Sequence, residues 1–75
     1  NTTNTGDVTI YMNNAENISA VVIWNALGEV IKNLNTAEID VSRYELDLKE
    51  FGNGLYFITL ISETNRITKK VIFNR

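Results

Sequence analysis

The chain of 75 residues contains no cysteine, no histidine and no proline. Without cysteine no disulfide can staple the fold, and neither a thiol nucleophile nor a zinc–thiolate site is available. Without histidine the commonest general base and the commonest metal ligand are missing. Ser19, Ser42 and Ser62 therefore have no imidazole to activate them. Long apolar runs are absent too. Nothing approaches the roughly 20 residues of a membrane-spanning helix, and no signal peptide is visible. These absences make an enzyme the least expected reading, and no cofactor is expected. The chain does not begin with methionine, and it reads as a piece of something larger.

Charge of one sign is scarce in each part of the chain. Residues 1–50 carry eight acids and three bases, a net of −5, whereas residues 51–75 carry one acid and four bases, a net of +3. The last stretch, with Arg66, Lys69, Lys70 and Arg75, is a basic strip on an acidic body. Dense strips of this kind attract nucleic acid or anionic lipid. Four charges without an arginine cluster read instead as a solvated strand face, and no nucleic-acid partner is expected.

What the chain does have is short β-branched and aromatic runs. Gly54 to Ser62, behind a Gly-Asn-Gly breaker, is the longest and reads as a strand buried on both faces. Glu63 to Arg66 turn the chain, and Ile67 to Phe73 return along it as a hairpin. Ahead of this hairpin, Asn1 to Gly6 is polar and reads as a linker remnant, with the domain proper over 7–75. Val8, Ile10 and Met12 alternate with polar neighbours as a half-buried strand. In Ile18 to Trp24 the period of two places Ala20, Val22 and Trp24 on one face and Val21 and Ile23 on the other. Asn25-Ala26-Leu27-Gly28 is a short connection with Gly28 available for a positive φ. Leu27 is expected to fold back and cap the core, and the return strand from Glu29 to Leu34 to turn Val30 and Leu34 inward. Glu38 to Val41 reads as an edge strand. Tyr44, Leu46 and Leu48 face in, Glu45 and Asp47 face out, and Phe51 plugs an open end. The expected fold is all-β: an antiparallel immunoglobulin-like β-sandwich of about seven strands, with a small barrel as the alternative.

The nine carboxylates are the only acid–base candidates. Asp40 and Asp47, with Glu38 and Glu45, fall outward on neighbouring strands. Calcium needs six or more oxygens, and no Asp-x-Asp-x-Asp loop supplies them, so a solvated face is the expectation. A glycosidase pair needs a cleft between its carboxylates. The aromatic residues either stack sugars or pack the core; Tyr56 and Phe51 are assigned to the core and Tyr11 is the most exposable. The reading that competes with those below is an accessory β-sandwich that binds carbohydrate or packs on a catalytic domain.

Three segments together resemble the type A C-terminal sorting domain of the type IX secretion system of Bacteroidota. Val22-Ile23-Trp24-Asn25-Ala26-Leu27-Gly28-Glu29-Val30 is similar to that family's strand, Asn-x-Leu-Gly turn and strand. Leu46-Asp47-Leu48 and Phe51, followed by Gly54-Leu55-Tyr56-Phe57, are similar to its Gly-x-Tyr signature. Thr68-Lys69-Lys70-Val71-Ile72 is similar to its closing basic strand. The chain lacks the family's opening Asn-Pro, and Asn65 stands where the last hairpin usually has glycine; asparagine tolerates the left-handed conformation. The resemblance implies an export address joined to an N-terminal cargo of the same chain. It would be read by the outer-membrane type IX machinery and removed by a sortase. Its route would pass through the periplasm to the cell surface or medium. The residues implied to carry recognition are Asn25, Leu27, Gly28, Gly54, Tyr56, Lys69 and Lys70.

Overall fold

A computed structural model describes residues 2–11, 18–35, 43–63 and 65–75. Seven strands are present among them: β1 (Thr2–Thr3), β2 (Asp7–Tyr11), β3 (Ile18–Asn25), β4 (Val30–Asn35), β5 (Arg43–Asp47), β6 (Gly54–Ser62) and β7 (Arg66–Phe73). They form a β-sandwich of unequal layers. The large sheet has the order β1-β7-β6-β3-β4, and the small one is the pair β2-β5. The expected hairpin of β6 and β7 lies at the centre of the large sheet. Every pairing is antiparallel except that of β1 with β7, which is parallel.

The core lies between the layers and follows the period-two pattern. Val21 and Ile23 from β3, Tyr56 and Ile58 from β6, and Val71 and Phe73 from β7 meet Ile10, Leu46 and Leu48. Val8, Tyr44 and Phe51 pack against this cluster at its margins. Fully burying one such side chain is worth about 1.5–3 kcal/mol. The cluster draws on strands that are distant in sequence, so the core forms only when the whole chain is in place.

Several expectations need correction. Leu27 does not cap the core: it is 85% exposed at the tip of its turn. Val30 faces outward and is 49% exposed, while Ile31 and Leu34 pack inward. The cause is a β-bulge. Ile23 pairs with Lys32 and Trp24 with Val30, so Ile31 is an extra residue in β4 and the alternation shifts by one. Within the polar stretch 1–6, Thr2 and Thr3 pair with Ile72 and Phe73. Gly6 is buried at φ +87, and a Cβ there would stand 2.8 Å from Lys49 Cγ and 3.1 Å from Phe73 Cζ. β6 is covered on both faces, though unevenly: inward Tyr56 and Ile58 are buried and Leu60 is half-buried, and outward Thr59 is buried while Leu55, Phe57 and Ile61 are half-buried. Asn65 is not left-handed, because no described residue other than glycine has a positive φ. The Ser62 hydroxyl closes that turn instead, accepting from Asn65 N and donating to Asn65 O. The expected strand Glu38–Val41 and Met12 lie outside the described residues.

The solvent face of the small sheet carries the acids. Asp7 and Asp47 are directly opposite, as are Thr9 and Glu45. Two facing carboxylates repel, and Lys49 stands between them with Nζ 3.4 Å from an oxygen of each. The backbone N–H of Lys49 donates to Asp47 Oδ1 at 2.9 Å. That bond, aided by the ammonium, lowers the Asp47 carboxyl below its ordinary 3.8, while Asp7 and Asp47 raise Lys49 above its ordinary 10.5. A lowered acid stabilises above its unfolded pKa and loses this as pH falls through the folded value; a raised base stabilises below its unfolded pKa and loses this as pH rises. The thermal midpoint is therefore expected to fall below about pH 3.8 and above about pH 10.5. Lys49→Met should remove the cluster's alkaline contribution and keep the acid one, because the backbone N–H survives. Melting curves of both proteins from acid to alkaline pH test this; a constant difference between them at neutral and alkaline pH would rule the ammonium out.

Candidate functional site

The turn after β3 is built by one side chain. Asn25 Oδ1 accepts from the backbone N–H groups of Leu27 (2.9 Å) and Glu29 (3.0 Å), and Asn25 Nδ2 donates to Glu29 Oε1 at 2.7 Å. Gly28 N–H donates to Asn25 O, and Asn25 N–H to Glu29 O. Gly28 takes φ +84, a conformation that a side chain disfavours. Asparagine and glycine thus have separate jobs here: one satisfies the amides, the other supplies the reversal. Leu27 has neither job, and its side chain is presented to solvent.

Gly54 and Tyr56 open β6. The Tyr56 ring is 3% exposed, and its hydroxyl donates to Gly52 O at 2.6 Å. A tyrosine at the start of a strand bonded to the backbone a few residues upstream is a device known from β-sandwich corners. It locks the crossover loop onto the core. A Cβ on Gly54 would meet the Tyr56 ring at 3.8 Å, an ordinary contact, but its φ of +158 is one that side chains rarely adopt. Gly54 supplies the backbone conformation that opens the strand, and Tyr56 anchors it to the core.

The closing strand is split by its register. Phe57 pairs with Lys70 and Ile58 with Lys69. Successive residues of a strand point to opposite faces, so Lys70 stands on the outer face of the large sheet and Lys69 on the inner one. Lys69 borders a groove of about 220 Å³ between β2 and the hairpin, with Val8, Tyr11, Leu60 and Val71 among its walls. Lys70 shares its face with Trp24, Phe57, Thr59, Thr68 and Arg66, as the pairings show. The seven residues singled out in the sequence thus do not form one cluster. Tyr56 is in the core, the Asn25–Gly28 turn is at one end of the large sheet, and the two lysines diverge.

Sequence reasoning missed the group that joins the turn to the closing strand. Trp24 Nε1 donates to Thr59 Oγ1 at 3.2 Å, and Thr59 Oγ1 lies 3.1 Å from Thr68 Oγ1. Thr59 is 5% exposed on a face with no second layer among the described residues. The signal was a lone threonine inside the apolar run Gly54–Ser62, but its partners follow only from the register.

A family model described as the secretion system C-terminal sorting domain matches residues 4–74. No curated protein and no solved structure matches the chain significantly. The family match takes in the Asn25–Gly28 turn, the Tyr56 signature and the whole of β7, the same three segments whose geometry is described above. The chain belongs to the secretion system C-terminal sorting domain family, the sorting signal of type IX secretion.

Proposed function

We propose that residues 7–75 act as the folded address of a cargo joined ahead of them, with 1–6 as the junction. The machinery reads the sandwich in the periplasm and passes the cargo to the cell surface or the medium, and a sortase then cuts the domain off. The domain is the substrate of that cut and catalyses nothing. Asn25, Leu27 and Gly28 at the exposed turn, and Lys70 on the closing strand, are the residues offered for recognition, Lys69 being turned to the inner groove; Gly54 and Tyr56 hold the strand that presents them.

One observation carries this reading. The last strand is at once the family's closing segment and part of the core, with Val71 3% and Phe73 2% exposed. Asn74 N–H donates to Thr3 O, and Arg75 N–H to Asn53 Oδ1. The junction, the crossover loop and the C-terminal residues are thereby fastened together, so a domain with its last strand in place is a folded one. A reader of the folded surface has then also checked that the chain is complete to Phe73.

A reporter with a periplasmic signal, fused ahead of residues 1–75, tests the proposal in a bacterium that has the type IX machinery. The reporter is expected outside the cell, freed of the domain. In a strain without the machinery it should stay in the periplasm. Equal external reporter in the two strains would end the proposal.

A further inference from the structure

We propose that the export machinery reads this domain through the outer face of the five-stranded sheet, by docking an extended protein segment that carries carboxylates beside apolar side chains. This rests on the sorting function and adds the face and the chemistry of the partner.

The register defines the face. Trp24 stands beside Phe57, Val22 beside Thr59 and Ala20 beside Ile61. On the far side Phe57, Thr59 and Ile61 stand beside Lys70, Thr68 and Arg66. A shallow groove of about 340 Å³ crosses it, bordered by Gly28, Trp24, Phe57, Thr59, Thr68 and Arg66. The groove joins the Asn25–Gly28 turn to the closing strand, two segments about 40 residues apart in the sequence. At the borders of this face Val30 is 49% and Ile72 39% exposed. Between these borders Trp24 and Phe57 are half-buried side by side, so that apolar surface runs across the face.

Charge selects the occupant. The outward positions of β3, β6 and β7 carry two cations, Arg66 and Lys70, and no carboxylate. The opposite surface of the sandwich, the outer face of β2 and β5, carries Asp7, Glu45 and Asp47 against Arg43, with Lys49 bridging the two aspartates. The first face is thus cationic and aromatic, and the second carries charges of both signs. An acidic segment is drawn to the first. The Trp24 N–H and the hydroxyls of Thr59 and Thr68 are bonded to one another. The floor then offers aromatic and aliphatic surface, with the Arg66 guanidinium at the rim for a carboxylate.

Lys69 and Lys70 provide the test, because they are adjacent in sequence and on opposite faces. In the reporter fusion, Arg66→Glu and Lys70→Glu should each lower the external fraction about tenfold, as expected when an attractive interface charge becomes repulsive. Lys69→Glu should leave it unchanged. Unchanged thermal midpoints of the purified 75-residue chains establish that all three fold. Loss of export by Lys69→Glu equal to that by Arg66→Glu would move the reading surface to the inner groove and overturn the proposal, as would normal export of both outer-face variants. Self-association in sedimentation that Arg66→Glu abolishes while export continues would assign the face to a second copy, and would also overturn it. Failure of the sorting function itself shows differently: the unsubstituted fusion would be indifferent to the machinery.

Discussion

Tyr56→Ala is expected to lower the unfolding free energy by about 3–5 kcal/mol, the range for truncating a large buried aromatic side chain. The ring is 3% exposed and belongs to the core between the sheets. A domain of this length buries only about 60% of its unfolded surface, which places its stability near the low end of about 5–15 kcal/mol. The substitution then leaves little or no folded protein at physiological temperature. Tyr56→Phe separates ring from hydroxyl. It keeps the packing and loses the bond to Gly52 O, at a cost of about 0.5–1.5 kcal/mol plus the desolvation of an unpaired carbonyl. Urea unfolding followed by Trp24 emission measures both, since Trp24 is the chain's single tryptophan and rests half-buried on Thr59. Equal midpoints for the alanine and phenylalanine variants would mean that the ring adds nothing beyond its hydroxyl.

The parts of this fold that were legible in the sequence are those set by local alternation and turn chemistry. Tyr44, Leu46 and Leu48 point inward because their neighbours are charged, and nothing interrupts the period. Gly28 reverses the chain because a side chain would resist its φ. The features that were not legible depend on pairings between distant segments. The bulge at Ile31 reverses the orientation of Val30, and only the register of β3 with β4 reveals it. Thr2 and Thr3 have no apolar pattern to advertise a strand, and they become one because the end of β7 offers an unpaired edge to the incoming chain. The candidate surface was legible in fragments. Arg66 and Lys70 were visible as a basic strip and Trp24 as sharing a face with Ala20 and Val22, but two antiparallel registers are needed to put them on one face. Lys69 was grouped with Lys70 by adjacency, although adjacency in a strand places side chains on opposite surfaces.

Removal of Ile67 to Arg75 from the reporter fusion is expected to leave the cargo in the periplasm. The physical reason has two layers. The deletion takes away nearly all of β7, including Val71 and Phe73, and uncovers the edge of β6 along its whole length. Each lost core side chain contributes about 1.5–3 kcal/mol, so the remainder has no margin with which to stay folded. The same deletion removes Thr68 and Lys70 from the outer face and detaches β1, whose strand partner is β7. Export should therefore fail whether the machinery reads the strand itself or the surface that it completes. Tyr56→Ala distinguishes these cases, since it keeps every residue of β7 while undoing the fold. If shape is the address, the point substitution and the deletion retain the cargo alike. If the strand is read as a linear segment, Tyr56→Ala still permits export and the deletion alone blocks it. Fractionating cells that carry the two fusions gives the answer, and reporter outside the cell after the deletion would show that the closing strand takes no part in the address.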